Sequence, residues 1–289
     1  MSNHVIIGYT LGDQAGIGPE VIEAALRSPL LPKNAEFRLI GNHINATPGN
    51  PNEQSAQAAF DHLELAAHAL NEGGIDAIVT GPISKEHLHR LGFRWPGQTE
   101  FFAERLDCTN FAMCLSGDHL TVALATIHES LAAVPSLLKT SELVRIGKLL
   151  EDFLRKTKTD SPRIALPGLN PHCGEHGAFG DEDERIIAPA VAELNASTRH
   201  ASYSGPEVPD AVYRDALMGK FDGILAPYHD QGLIPLKMVD FDSAVNITLG
   251  LKSPRVSPDH GTAFGIAGKG ISNPRSMLRA FQIAALVAK

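Results

Sequence analysis

The sequence predicts an α/β protein folded as two lobes on a largely parallel sheet. Short β-branched runs alternate with longer amphipathic segments, and most of these runs are too evenly apolar to have a solvated face. At 289 residues, 43% of them hydrophobic, the chain can bury one large core or two modest ones.

The first run, Val5 to Thr10, reads as a buried strand. A glycine loop follows, then a helix from Pro19 to Arg27, with proline in the first turn where its missing N–H costs nothing. Phe37 to Ile40, Ala77 to Thr80, Phe111 to Leu115, Thr121 to Thr126, Arg163 to Pro167, Gly223 to Ala226 and Val245 to Thr248 read as further strands. Gln54 to Asn71 is a helix stopped by Gly73-Gly74. Leu138 to Lys156 is another, with Leu138, Leu143, Ile146, Leu149, Leu150 and Leu154 along one stripe, and Pro274 to Val287 closes the chain. Gly41 to Glu53, rich in Asn, Pro and Gly, reads as a surface linker, and no internal repeat is present. The first lobe is expected to comprise residues 1–105 with 240–289, and the second residues 106–239.

Composition excludes several classes of function. With 25 basic against 33 acidic residues the net charge is −8, which argues against a nucleic-acid or anionic-membrane partner. An acidic protein that binds an anion must concentrate positive charge locally. The N-terminus has no basic segment before its short apolar run, and no apolar stretch reaches membrane-spanning length, so a soluble cytoplasmic protein is expected. Cys108, Cys114 and Cys173 form no metal or redox spacing and are expected as reduced thiols, two of them buried.

Four groups of residues carry chemistry. Gly12-Asp13-Gln14-Ala15-Gly16-Ile17-Gly18-Pro19-Glu20 places glycines between a strand and a helix, where backbone N–H groups can approach a ligand or simply make a tight turn. It is not the dinucleotide-binding glycine pattern. Among 13 histidines, His128, His172 and His229 each follow a strand, at the edge where parallel sheets bind ligands. Three neutral imidazoles suit a divalent metal, although hydrogen-bonded loop histidines are the plainer reading of the residues alone. Lys237, Asn246 and Arg255 recur at nine-residue intervals, each near the end of an apolar or extended segment, and suit a phosphate or carboxylate; solvated strand-end charges are the plainer alternative. Asp259-His260-Gly261-Thr262 reads as a loop that faces a cofactor or caps a helix. Glu175 and Asp181 to Glu184 read as acidic residues at a helix start.

Taken in order, GDQAGIGPE (12–20), TGPISKE (80–86), GQTEFFAERL (97–106), LNPHCGEHGAFGDEDE (169–184), YHDQGLIPLK (228–237), VNITLG (245–250) and SPDHGTAFGIAGKG (257–270) closely resemble the 4-hydroxythreonine-4-phosphate dehydrogenase family of vitamin B6 synthesis and its paralogues. The resemblance runs from about Val5 to the C-terminus. It implies two α/β lobes of the isocitrate/isopropylmalate dehydrogenase type with an active-site cleft between them, in a homodimer that shares its active site. It further implies a divalent metal, zinc or alternatively magnesium, manganese or cobalt, held by His128, His172 and His229 with one histidine from the partner subunit. Substrate contacts fall on Gln98, Thr99, Lys237, Asn246 and Arg255, and NAD or NADP contacts on Asp259, His260 and Gly261. At Gln98 the family usually has histidine; the amide can hydrogen-bond but cannot become cationic or donate a proton near neutral pH. The linker 41–53 is shorter than the family's usual insertion.

The implied reaction is metal-dependent, NAD(P)-linked oxidation of 4-phosphooxy-threonine to a 3-keto acid, which decarboxylates to 3-amino-2-oxopropyl phosphate in pyridoxal phosphate synthesis. No general base is assignable. The alternatives are a dehydrogenase of 4-phosphothreonate or 4-phosphoerythronate, kept open by Gln98, a metal-dependent phosphatase, and a non-catalytic phosphometabolite-binding domain.

Overall fold

Strand β1 (Val5–Thr10), helix α1 (Gly18–Leu26), strand β2 (Ala35–Leu39), helix α2 (Glu53–Asn71) and strand β3 (Ala77–Thr80) open the chain, followed by the short helices α3 (Lys85–Arg90) and α4 (Gln98–Arg105). Next come β4 (Ala112–Ser116), β5 (Thr121–Leu124), α5 (Val134–Leu137), α6 (Thr140–Thr157), β6 (Arg163–Pro167), α7 (Ala188–Ser197), β7 (Ser202–Glu207), α8 (Pro209–Leu217), β8 (Gly223–Ala226) and α9 (His229–Asp240). Strands β9 (Val245–Leu249) and β10 (Arg255–Pro258) and helix α10 (Arg275–Val287) complete it. The computed structural model describes residues 4–288. Two compact units emerge: the chain up to Thr109 together with the chain from Asp242 on, and Asn110–Phe241.

In the first unit the strand order is β2-β1-β3-β10-β9, all parallel except β9 against β10. The chain passes from β1 to β2 on one side and returns past β1 to β3 on the other, so crossovers of one hand put α1 and α2 on opposite faces. Accordingly α1 packs against α10, while α2 packs against β1 and β3. Ile7, Val21, Leu63, Ile78 and Phe281 fill this core. The carboxyl ends of β1, β3 and β10 share one edge, and the strand order reverses between β1 and β3, where diverging loops leave room for a ligand.

The second unit has the order β4-β5-β8-β6-β7, with β5, β8, β6 and β7 parallel and β4 antiparallel to β5. Helix α6 buries Leu143, Ile146, Leu150 and Leu154. Helix α9 packs on β5 and β8. Gly232 is what lets it approach: a Cβ there would sit 2.8 Å from Leu124 Cδ2 and from Val122 Cγ1. The far end of α9 is held by Asp240, a buried carboxylate that accepts from the amides of Leu120 (2.9 Å) and His119 (3.1 Å) and lies 2.8 Å from His119 Nδ1. Burial alone would raise the Asp240 pKa, but the Leu120 amide, the His119 ring and the His119 amide outweigh it and hold the carboxyl below its ordinary range.

Several elements depart from expectation. Strands β7 and β10 escape a search for apolar runs because each is short of them and contains proline, Pro206 and Pro258. The segment around Ile234-Pro235-Leu236, read as apolar or extended, is the middle of α9, with Pro235 inside the helix. Only Cys114 is buried, not two cysteines; burial pushes its thiol up to about 12, and Cys108 and Cys173 are half-buried. The stretch 41–53 is mostly exposed but not slack: Gln14 donates to Asn42 O and accepts from the Ile44 amide, and the Gly49 amide bonds Ala15 O. Among the described residues, no helix is long and apolar enough to cross a membrane.

Asp240→Asn is expected to destabilise the second unit by about 1.5–3 kcal/mol, as loss of a charged acceptor of several hydrogen bonds implies. Because the folded pKa is depressed, this stabilisation is present above the ordinary aspartate value of about 3.9 and is lost as pH falls through the lower folded value. Denaturation of wild type and variant across acid pH, followed at both pH extremes, checks both the size and the direction.

Candidate functional site

Arg255 opens β10, directly opposite Thr248 on β9 and beside Ile78 on β3. Paired residues share a face, so Arg255, Thr248 and, two residues along β9, Asn246 point to the same side. Only 3% of Arg255 is exposed, and its Nε and Nη2 donate to a neutral partner, the Thr80 hydroxyl, at 3.1 and 2.9 Å. Among the described residues no carboxylate forms an ion pair with it; Glu100 attracts it from further away, and burial pushes the guanidinium pKa down to about 9. A buried cation without a counter-charge is costly, so the site calls for an anion from outside the chain.

The surroundings close a ring. Thr80 is followed by Gly81, whose carbonyl accepts from Gln98 Nε2 at 3.4 Å; Gln98 is followed by Thr99, and the Thr248 hydroxyl, opposite Arg255, donates to that of Thr99 at 3.4 Å. Gln98 and Thr99 occupy the first turn of α4, which has no side-chain cap. The Gly81 carbonyl orients the Gln98 amide, leaving its Oε1 buried and unpartnered, as is Asn246 Oδ1. Buried acceptors rarely stay unpaired, so a ligand here should carry hydrogen-bond donors as well as negative charge.

Along the same edge, the loop Asp259–Thr262 follows β10. The Asp259 amide bonds Ala244 O and Ser276 Oγ, both at 3.3 Å; His260 Nδ1 lies 3.0 Å from Gly261 O, and its Nε2 is buried without a partner. Thr262 O accepts from the Ile17 amide at 2.9 Å, tying this loop to the glycine loop. In that loop the amides of Asp13, Ala15, Gly16 and Ile17 are all engaged within the protein. Gly12, at φ +70°, has no room for a side chain: a Cβ would lie 2.2 Å from Pro82 O. These glycines therefore serve close backbone packing, and four of the amides available to a ligand in sequence are already taken.

In the second unit, β5 and β8 are adjacent parallel strands, so the loops beyond their carboxyl ends run side by side. Thr126 joins them, its amide and hydroxyl both donating to Pro227 O. His128 and His229 end up with ring centroids 5.8 Å apart on the wall of a pocket of about 370 Å³, together with Glu129, Tyr228 and Asp230. His229 opens α9, and its Nδ1 lies 2.6 Å from Asp230 Oδ1, leaving Nε2 as the other ring nitrogen for a ligand. Lys237 is two turns further along the same helix. His172 follows β6, the next strand beyond β8, and does not line this pocket; among the described residues no three metal-binding side chains come together. Its loop turns sharply, with His172, Cys173, Glu175 and His176 all at left-handed φ of 42–56°. Fully buried Asp183 holds the start of that loop by accepting from the Leu169 and Asn170 amides and from Asn170 Nδ2. Sequence reasoning placed Asp183 only in an acidic helix start and missed this anchor, for which nothing local in the sequence is a signal.

A family model described as "Pyridoxal phosphate biosynthetic protein PdxA" matches residues 20–284. The chain belongs to the PdxA family. A curated relative from Trichlorobacter lovleyi named 4-hydroxythreonine-4-phosphate dehydrogenase is 36% identical, with 98% of this chain and 97% of the relative aligned. One of the same name from Geobacter metallireducens is 38% identical over 98% and 95%. Both alignments span more than 320 positions, so these family members carry segments that this 289-residue chain lacks. The crystal structure of 4-hydroxythreonine-4-phosphate dehydrogenase from Klebsiella pneumoniae superposes with a TM-score of 0.84 at 34% identity, covering 99% of this chain and 98% of that one. Isocitrate dehydrogenase from Methylococcus capsulatus, at 15% identity and a TM-score of 0.53 over 96% of this chain and 83% of that one, shows the same fold and no more. The family thus has the α/β architecture of isocitrate dehydrogenase, as expected.

Arg255→Met, which keeps an unbranched apolar stem without the charge, is expected to leave the unliganded protein as stable as wild type or more so, by up to about 4 kcal/mol. It should abolish stabilisation by inorganic phosphate. Thermal unfolding with and without phosphate checks both, and a variant that is unstable yet still phosphate-responsive contradicts the anion site.

Proposed function

We propose that this chain is an NAD- or NADP-linked oxidoreductase that oxidises 4-phosphooxy-threonine in pyridoxal phosphate synthesis, working in the cytoplasm as a homodimer. The observation that carries the substrate class is Arg255, a buried guanidinium paired with a hydroxyl and, among the described residues, with no carboxylate, inside a family whose named members act on a phosphorylated hydroxy amino acid. Arg255 would fix the anionic end of the substrate, with Asn246 and Lys237 as further contacts. Thr99 would offer its amide and hydroxyl, and Gln98 Oε1 would accept from a substrate hydroxyl or ammonium.

The donor set suits a divalent metal. His128 and His229 are adjacent imidazoles beside the Asp230 carboxylate, which orients one of them. They would supply two ligands and His172 of the partner subunit a third, consistent with His172 lying outside the pocket of its own chain. Zinc is the ion best matched to imidazole nitrogen, with magnesium, manganese or cobalt as alternatives. When bound, such an ion polarises the reacting hydroxyl and supports negative charge on that oxygen. NAD or NADP would lie along Asp259, His260 and Gly261, where buried His260 Nε2 awaits a partner, and would take up the hydride. Loss of the hydroxyl proton and the hydride gives a 3-keto acid, and release of carbon dioxide from it gives 3-amino-2-oxopropyl phosphate.

One observation favours a second substrate. Gln98 Oε1 accepts equally from an ammonium or a hydroxyl, so 4-phosphothreonate or 4-phosphoerythronate, which carry hydroxyl in place of the amine, would satisfy it too.

Formation of reduced nicotinamide from 4-phosphooxy-threonine, dependent on added divalent metal and abolished by a chelator, is the expected result; turnover without nicotinamide would point to a phosphatase. His229→Ala should reduce kcat/KM by at least about 100-fold and remove tight metal binding measured calorimetrically, while leaving the circular dichroism unchanged. For Lys237→Ala a roughly tenfold or larger rise in KM is expected with little change in kcat. Comparing kcat/KM for the amino and hydroxy substrates in wild type and Gln98→His separates the two substrate assignments.

A further inference from the structure

The motif Thr80-Gly81-Pro82-Ile83-Ser84-Lys85-Glu86 leaves β3 at the ligand-binding edge and starts α3, yet only Thr80 and Gly81 belong to the ring around Arg255. Lys85 is its unused cation. Ser84 caps α3 by accepting from the His87 amide, which fixes Lys85 as the first helical residue. From there its side chain reaches Gly97, the residue from which α4 starts: a Cβ built on Gly97 would lie 3.6 Å from Lys85 Nζ and 3.3 Å from Glu100 Oε2. The ammonium forms no ion pair among the described residues. Glu100 is the carboxylate that attracts Arg255 without pairing with it, so one acid stands among two cations and the group keeps a net positive charge in a chain of net charge −8. The uncapped start of α4, with Gln98 and Thr99, lies in the same group.

We propose that Lys85 is a second anion-binding residue of the Arg255 site, and that the ligand accordingly presents two separate anionic groups, one to each cation. The assignment rests on Arg255 marking the substrate site. Arg255 is buried in the sheet and held by two hydrogen bonds to the Thr80 hydroxyl, whereas Lys85 is exposed. The buried guanidinium therefore selects an anion of fixed position, and the ammonium adapts to the second group. Such a ligand is a phosphorylated carboxylic acid rather than a phosphate ester without a carboxylate. Lys85 here binds and positions; it is not assigned a proton-transfer role.

The test compares Lys85→Ala and Lys85→Arg with wild type in two measurements. In thermal unfolding with inorganic phosphate or 3-phosphoglycerate as probe, wild type should be stabilised more by the compound carrying both phosphate and carboxylate. Lys85→Ala should lose that difference while keeping its response to phosphate, and Lys85→Arg should recover it in part. In steady-state turnover of 4-phosphooxy-threonine, Lys85→Ala should raise KM about tenfold or more with kcat within about twofold, as expected for one charge-assisted contact. Equal stabilisation of wild type by the two probes, an undiminished difference in Lys85→Ala, or a fall in kcat at unchanged KM would overturn the assignment. If wild type oxidises no phosphorylated hydroxy acid but the Lys85-dependent probe difference is present, the enzymatic assignment fails and the two-anion site stands.

Discussion

The interaction on which this structure turns is one that is left open: Arg255, buried in the sheet at the edge of the first unit, has the Thr80 hydroxyl as its hydrogen-bond partner and, among the described residues, no carboxylate in ion-pair contact. A buried uncompensated charge is unfavourable for folding by several kcal/mol. The groups around it make sense in that light. Gln98, Thr99, Thr248 and Asn246 bring hydroxyls and amide oxygens to the same place, two of the latter without partners, because β3, β9, β10 and the first turn of α4 converge there. A buried cation beside unpaired acceptors is a setting that fits an anion bearing hydrogen-bond donors.

Two buried carboxylates do the opposite work. Asp240 and Asp183 each accept from two backbone amides, and each fixes an element that carries a histidine or lysine proposed for the site. Asp240 anchors the end of α9, the helix that begins at His229 and bears Lys237; Asp183 anchors the loop that bears His172. Satisfied charges give rigidity, and the unsatisfied Arg255 is left for ligand. The same division separates the tightly packed glycine loop, whose amides are largely spent on the protein, from the neighbouring His260 loop, whose ring nitrogen is not.

Much of the fold was legible in the chain. Strands β1, β3, β6 and β8 coincide with their apolar runs to the residue, since a strand buried along most of both faces is largely apolar. Strands β7 and β10 were not legible, because Gly205-Pro206 and the mixed Arg255-Val256-Ser257-Pro258 look like loop residues and become strands only by pairing with β6, β3 and β9. Helix α9 was concealed by Gly232 and Pro235, and the glycine proves to be a contact with Leu124 and Val122 that no local rule contains.

By itself the sequence determined the α/β alternation, the family and the residue types available for chemistry, because hydrophobic periodicity and ordered motifs are local properties of the chain. Only the tertiary structure decided which of those residues meet. It made neighbours of His128 and His229, because β5 and β8 are adjacent, and left His172 on the next strand's loop. It placed Gln98, Thr99 and Asn246 around the buried charge of Arg255 and brought Lys85, from an unremarked position in its motif, beside Gly97. Strand order and the burial of a charge are long-range properties, set by how distant segments pack, and no single stretch of sequence contains them.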